Sequence, residues 1–536
     1  MANRYWVGGT ASWDGTAGTK WALTSGGTGG QAVPTATDDV YFDAASGAVT
    51  VTIATASAAV ARQIIATGFT GTIAGTQGLT VSGASGLAGV FTLQNGMTWS
   101  NTGTLSFTST SASTSFTITT NGVSLASPIS ISGTGTKTLG SALTTTSSCT
   151  IASSFTFSTF SLTCLTYTDS GSRTFSFSGS STIFITGNNA TVATFSASVS
   201  GSPPISLSYS GSVGTRTLSV GTPSEANSRN ISITAGSDII TSTSFTNFKN
   251  LDFTGFSGTV STWGFSVITI YGNLTLSSGM TYSATAQLSF EATSSKTITT
   301  NAKTIPAQVT FFGIGGTWTL QDALTTTGLI SHTTGTFNTN DKAVTCSTYN
   351  GSNSNTRSLT LGASTFTCTG SGASAFTIAT TTGMTLSAGT STISMTSASS
   401  KTFAGGGLTY YNLNQGGAGA LTISGANTFN DIKNTVQPNT IIFPASTTQT
   451  VSNFSLTGTA GNLITINSNS AGTQATLSKS SGTVSCNYLS IKDSAATGGA
   501  SWYAGTTSTN GGNNTGWIFT APPVTANKAS FFLMFS

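Results

Sequence analysis

Charge is what this sequence has least of. Lys, Arg, Asp and Glu make up 6% of its 536 residues, against about a quarter in ordinary globular chains. The 17 basic residues are scattered, without a run of Lys or Arg, and the formal charge is only +4. A nucleic-acid surface needs a basic stripe to displace counterions, so no nucleic-acid partner is expected. A groove for acidic substrates is equally unsupported. The single histidine, His332, leaves no second imidazole for a metal site, and a triad needs a base with an orienting partner. Its setting, SHTTG, reads as a surface turn. The five cysteines, Cys149, Cys164, Cys346, Cys368 and Cys486, are far apart and form no CxxC, which argues against zinc and against a disulfide framework. No cofactor is expected. No window approaches the ~18 apolar residues of a membrane span, so no insertion into a membrane is expected. MANRYWVGGTASW has no apolar core of a signal peptide, so release by lysis or by a dedicated route is the expectation.

What is abundant is Gly, at 63 residues, with Thr, Ser, Asn, Ile, Val and 31 Phe. β-Branched and aromatic residues fit pleated surfaces, and their presence separates the chain from charged disordered sequences. RTFSFSG, STIFITG, ALTISG, FSLTGT and LITINSN alternate apolar and small polar residues with period two. Clusters of Gly, Asn or Ser separate them. No stretch keeps a period of 3.6, which excludes an α/β fold. Stacked sandwiches, a propeller and a β-solenoid remain, and three features favour the last. The strands are short and numerous, with irregular loops. Polar residues recur at turns, where they can stack. Charges are sparse even where strands face solvent: a column of like charges at the ~4.8 Å spacing of neighbouring strands repels, whereas Thr or Ser columns hydrogen-bond.

The sequence is also duplicated. GMTWSNTGTLSF (96–107) matches GMTYSATAQLSF (279–290), SALTTT (141–146) matches DALTTT (322–327), and TCLTY (163–167) matches TCSTY (345–349). A partial third echo begins at GMTLSAGTSTISM (383–395). Sustained self-similarity marks a repeat architecture. Cys164 and Cys346 fall at matching positions, as small buried rung residues. Trp6, Trp13 and Trp21 crowd one end and Trp502 and Trp517 the other, which suggests caps. The expected fold is therefore all-β, an elongated parallel β-helix (β-solenoid) with end caps and an internal duplication. Its parts are an N-terminal cap (1–45), a first repeat block (46–270), a second block with a partial third (271–493), a C-terminal cap (494–520) and an apolar tail (521–536). In the tail, Phe531, Phe532, Leu533, Met534 and Phe535 are five apolar residues in a row, too few to span a membrane; burial against another subunit or another protein, fixing an assembly, is the expectation.

The opening NRYWVGGTASWDGTAGTKWALTSGGTGGQAVPTATDDVYFD resembles the start of many uncharacterised parallel β-helix proteins of tailed phages and bacteria. NTRSLTLGASTFTCTG and CNYLSIKDSAATGGASWYAGTTSTNGGNNTGWIF resemble the same group. The resemblance covers both ends and the middle, and its motifs carry no activity. It implies a parallel β-helix of the kind found among virion fibres and spikes.

Chemistry is thinly represented. Glycan cleavage needs two carboxylates about 5–10 Å apart. Asp322 and Asp341 are nearly one rung apart and are the candidate pair if the chain is an enzyme. The first copy carries Ser141 in place of Asp322 and no acid in place of Asp341, so isolated turn acids are the plainer reading. Glu225, Asp238 and Asp252 form a second group. Asp38, Asp39 and Asp43 in TDDVYFD offer oxygens to a metal such as Ca²⁺, but without EF-hand spacing. Tyr271, Trp318, Tyr410 and Tyr411 are candidate sugar-stacking aromatics, with core packing the alternative. Repeated TxT pairs raise ice binding, against which the irregular spacing argues. The expectation is a non-enzymatic phage virion protein, a β-helical fibre or decoration protein. It would form a homo-oligomer, a trimer first, sit among other virion proteins on the particle and touch host surface glycans. A secreted bacterial adhesin and a tailspike-like polysaccharide depolymerase are the alternatives.

Overall fold

The computed structural model describes residues 1–523 apart from 56–58, 84–88, 110–115, 189–190, 197, 202, 209–213, 221–223, 243–246 and 264–265. The tail, 521–536, and the assembly role of its five apolar residues lie outside these beyond Pro523. Strands take up 48% of the chain and helix 1%, and together they form a parallel β-solenoid of about 20 turns. The only helices among the described residues are single 3-10 turns, Ala44–Ser46 and Glu225–Asn227. No described helix is long and apolar enough to cross a membrane. The chain divides into two units, Met1–Ser289 with Thr299–Lys303, and Phe290–Ile298 with Thr304–Ser536.

In the first unit each turn visits three faces. Gly89–Thr92 lies on one, Thr98–Trp99 on the next and Leu105–Phe107 on the third. Phe116–Thr119 then returns to pair in parallel with Gly89–Thr92. The alternation read in the sequence sets the direction of each side chain: in Phe116–Thr119 the Phe and Ile are buried and both Thr face out. At its N-terminal end Trp6, Trp13 and Trp21 are fully buried. The Trp21 ring lies 5.0 Å from that of Trp6 and 5.2 Å from that of Trp13, edge to face.

The second unit repeats the scheme: Leu329–His332, Gly335–Asn338 and Val344–Cys346 occupy three faces, and Thr348–Asn350 returns to the first, pairing Leu329 with Thr348. Phe311 and Phe337 stack at 4.2 Å inside it. Ladders of the first unit slip register at Thr156/Ser158, Thr191/Ala193, Arg229/Asn230 and Ile240/Ser242. Those of the second slip between Gly372 and Phe376. The second unit is the more regular of the two.

Corners are closed by left-handed pairs. Asn121–Gly122, Asn301–Ala302 and Asn340–Asp341 all have positive φ, a conformation that Gly and Asn adopt most readily. Each Asn then donates its amide to the preceding turn, to the carbonyls of Leu93, Leu276 and Leu320 respectively, at 2.9, 2.6 and 3.0 Å.

The duplication has a phase that sequence alignment does not show. Trp99 belongs to the sheet containing Thr72–Gly75, where it pairs with Ile73. Tyr282, its repeat counterpart, belongs to a different sheet of the same unit and pairs with Val260. Cys164 and Cys346 both point inward and are fully buried. The second copy therefore keeps the inside–outside pattern of the first while starting one face later.

Candidate binding cleft

The interior takes up much of the scarce charge. Arg62, Lys137, Arg216, Arg229, Arg357 and Lys401 are all buried. Alternation explains this: KTL, RNISI, RSLT and KTFA each place the basic residue on the inward register of its strand. Most of these cations gather carbonyl oxygens, which satisfies a buried charge at modest cost. Lys137 donates to Gly135 at 2.8 Å, and Lys401 to Ser397 and Gly419 at 2.9 and 2.6 Å. Burial pulls both ammonium groups down to about 8. Three arginines are held by acids: Arg62 by Asp39, Arg216 by Asp238 and Arg229 by Asp169.

These contacts correct several candidate sites. Asp39 is occupied by Arg62, Asp38 accepts from Ala2 and Thr35, and Asp43 caps the 3-10 turn through Ser46. The three carboxylates serve different partners and are not brought together as metal ligands. Asp238 lies in the core on Arg216, Asp252 accepts from Thr254 in its own turn, and Glu225 begins a 3-10 turn, so this group does not converge either. Trp318 is fully buried and Tyr410 is 2% exposed, with its hydroxyl donating to Gly405. Neither can stack on a sugar, because each sits on the inward register of its strand. Tyr271 and Tyr411 are half-buried and belong to different units.

Asp322 and Asp341 do lie on successive turns of one sheet, since Leu324 pairs with Val344. Asp341 is the second residue of a left-handed corner, and its carboxylate accepts from the Ala363 amide at 2.6 Å, which ties it to the next turn. An acid so committed holds a corner. Asp322→Asn combined with Asp341→Asn is accordingly expected to leave glycan binding unchanged. Clearing of a capsular polysaccharide by the wild type that the double variant loses would reverse this assignment.

His332 is the clearest departure from expectation. It is not in a surface turn but fully buried at the end of Leu329–His332. Ile330 and His332 share the inward register, and His332 pairs with Phe311. Its Nε2 lies 3.1 Å from the carbonyl of Gly335 and its Nδ1 3.0 Å from the hydroxyl of Tyr349. A carbonyl only accepts, so Nε2 carries the proton and Nδ1 accepts from Tyr349. Burial, aided by the nearby Arg357 charge, pulls this imidazole down to about 4.

Above this cluster lies a cleft that the sequence reading missed. The link from Val309–Phe311 to Thr317–Leu320 has five residues, that from Leu329–His332 to Gly335–Asn338 only two, and that from Thr348–Asn350 to Arg357–Thr360 six. A short link between two long ones leaves a gap of about 570 Å³, lined by Ile314, Thr334, Thr336, Asn355, Arg357 and Ser358, among others. Gly335 forms part of it at φ 75°, and a Cβ there would come within 2.3 Å of the Gly313 carbonyl. Ile314 is 75% exposed and Phe312, in the same link, 48%. The guanidinium of Arg357 donates to Gly351, Asn355, Thr380 and Thr382, so its hydrogen-bonding capacity is largely used within the protein. The available signal was FFGIGG, where Phe312 and Ile314 depart from alternation and fall outside a strand. No family model, curated protein or solved structure matches this chain.

Proposed function

We propose that this protein is a non-enzymatic structural component of a tailed-phage particle, a fibre or decoration protein that contacts host surface glycans. The observation that carries the reading is how polar groups are used. The buried cations are spent on carbonyl oxygens and single carboxylates, and Asp341 is spent on a corner. The charges left outside, among them Arg173, Glu225, Lys249 and Lys492, are scattered singly over a surface made mostly of neutral Thr and Ser. Such a surface suits passive contact better than acid–base chemistry, which needs a pair of carboxyl groups facing each other across a substrate. Stacked parallel strands bonded on both sides also suit a component that must persist outside a cell. Self-association, as a trimer, belongs to the same reading. The test is mass spectrometry and immunogold labelling of purified particles from a lysate that expresses the protein. Stoichiometric recovery with label on intact particles supports the proposal; confinement of the protein to the particle-free supernatant contradicts it.

A further inference from the structure

One face of the second unit carries two parallel columns of small polar side chains. The strands Ser295–Thr299, Thr317–Leu320, Gly335–Asn338, Arg357–Thr360 and Met384–Ser387 are stacked in register. The first column is Ser295, Thr317, Thr336, Ser358 and Thr385; the second is Thr297, Thr319, Asn338, Thr360 and Ser387. None of the four ladders slips, so the irregular spacing of TxT pairs along the chain reflects the corner links and not this face. Successive rungs are about 4.8 Å apart, and the two columns, two residues apart along each strand, are about 7 Å apart. Behind them Trp318, Phe337 and Leu359 are fully buried and hold the sheet from within. The cleft opens onto the first column, since Thr336 and Ser358 belong to both.

We infer that these columns and the cleft form one binding site for a linear, uncharged polysaccharide, with one sugar ring against Ile314 and the chain running across the rungs. The inference rests on the glycan-contact part of the proposed function and assigns it a place and a ligand class. A single hydroxyl contact exchanges water for sugar and gains little. Five equivalent rungs gain only from a ligand that also repeats, because linked contacts then add. Neutrality follows from the lining: no array position is charged, and Arg357, the one charged residue of the cleft, is 1% exposed. The apolar side of a sugar ring fits Ile314, the most exposed large apolar residue among those described. An ice surface is the other repeating partner of a hydroxyl array, but the 312–316 and 351–356 links flank the cleft beside the columns and break any plane that would lie across them.

The test uses the full-length protein with manno-, malto- and cello-oligosaccharides of two to six residues, the corresponding soluble polymers, and polygalacturonate as an acidic comparison. At least one neutral series is expected to bind with an affinity that rises with length and is unchanged by 0.5 M NaCl, roughly one Debye length of 4–5 Å. Ile314→Asp and Thr336→Lys are each expected to weaken binding by about tenfold or more, since either disrupts several linked contacts. Thr345→Lys, on another face, is expected to leave it unchanged, and thermal melts confirm that each variant folds. Failure of every neutral probe, salt-sensitive binding of polygalacturonate alone, equal loss in Thr345→Lys, or inhibition of ice recrystallisation without sugar binding would each overturn the inference. Any of these with the protein still on particles leaves the particle assignment standing; sugar binding with the protein absent from particles does the reverse.

Discussion

Asp169→Ala is expected to destabilise the first unit by about 3–5 kcal/mol, the cost of stranding a buried charge. Asp169 is 2% exposed and Arg229 1%. The carboxylate accepts from Arg229 at 3.1 Å and from the Ser196 amide at 2.6 Å, while the guanidinium carbon lies 5.6 Å from the centre of the Phe195 ring. Burial pushes the Asp169 carboxyl up from its ordinary range despite the opposing pull of Arg229. Desolvation thus outweighs attraction, and the pair itself contributes little net stability. Two outcomes follow. The single variant leaves Arg229 without its acid and loses protection from hydrogen exchange along Thr166–Asp169 and Arg229–Ile233. The double variant Asp169→Leu, Arg229→Met removes both charges and recovers most of the loss. A single variant within about 1 kcal/mol of wild type, or a double variant as unstable as the single, would show that the charges are not enclosed as described.

The second large effect is a loss of stability in mild acid that His332 controls. The folded protein holds this imidazole neutral, with a value near 4 against 6.5 when free. Its neutral form is favoured by folding, so its contribution is complete above pH 6.5. The contribution declines as pH falls and is exhausted once the folded imidazole itself protonates, near pH 4. At 1.36 kcal/mol per unit, this window is worth about 3 kcal/mol. The groups facing the ring are the Tyr349 hydroxyl, the Gly335 carbonyl, Arg357 and the rings of Phe311 and Phe337; none is an acid that could stabilise an imidazolium. Asp169 and Asp431, both pushed up by burial, act in the opposite direction, so the informative quantity is the difference between wild type and His332→Gln. That difference is expected to shrink by about 3 kcal/mol between pH 6.5 and 4. Parallel stability curves for the two proteins would mean that His332 is solvated.

Much of the architecture was legible because period two is a local property. FTIT, LTC and VTC announce which residues point inward, and the structure buries those residues. The phase of the duplication was not legible. The matched segments lie 181 to 183 residues apart, but Lys137 pairs with Phe155, 18 residues on, and Gly89 with Phe116, 27 residues on. With turns of such unequal length, an offset in residues does not identify a face. His332 was misjudged, and the buried cations were not anticipated, for a different reason: residue type was weighed above register. LISH and RSLT carry the same alternation as their apolar neighbours, and a long side chain at the start of a strand can reach the carbonyls of its own corner. The cleft was hidden because it arises from the lengths of three links on adjacent turns, which become neighbours only once the strands are paired.

Side-chain stacking in the second unit is the claim on which the rest depends, and an experimental structure of the full-length protein at side-chain resolution tests it most directly. The expected result is parallel turns in which Thr317, Thr336, Ser358 and Thr385 form one outward column, with Cys346 directly over Cys368 and their sulfurs about 4.0 Å apart within. Antiparallel pairing of these strands, or a register that turns any of those hydroxyls inward, would contradict it.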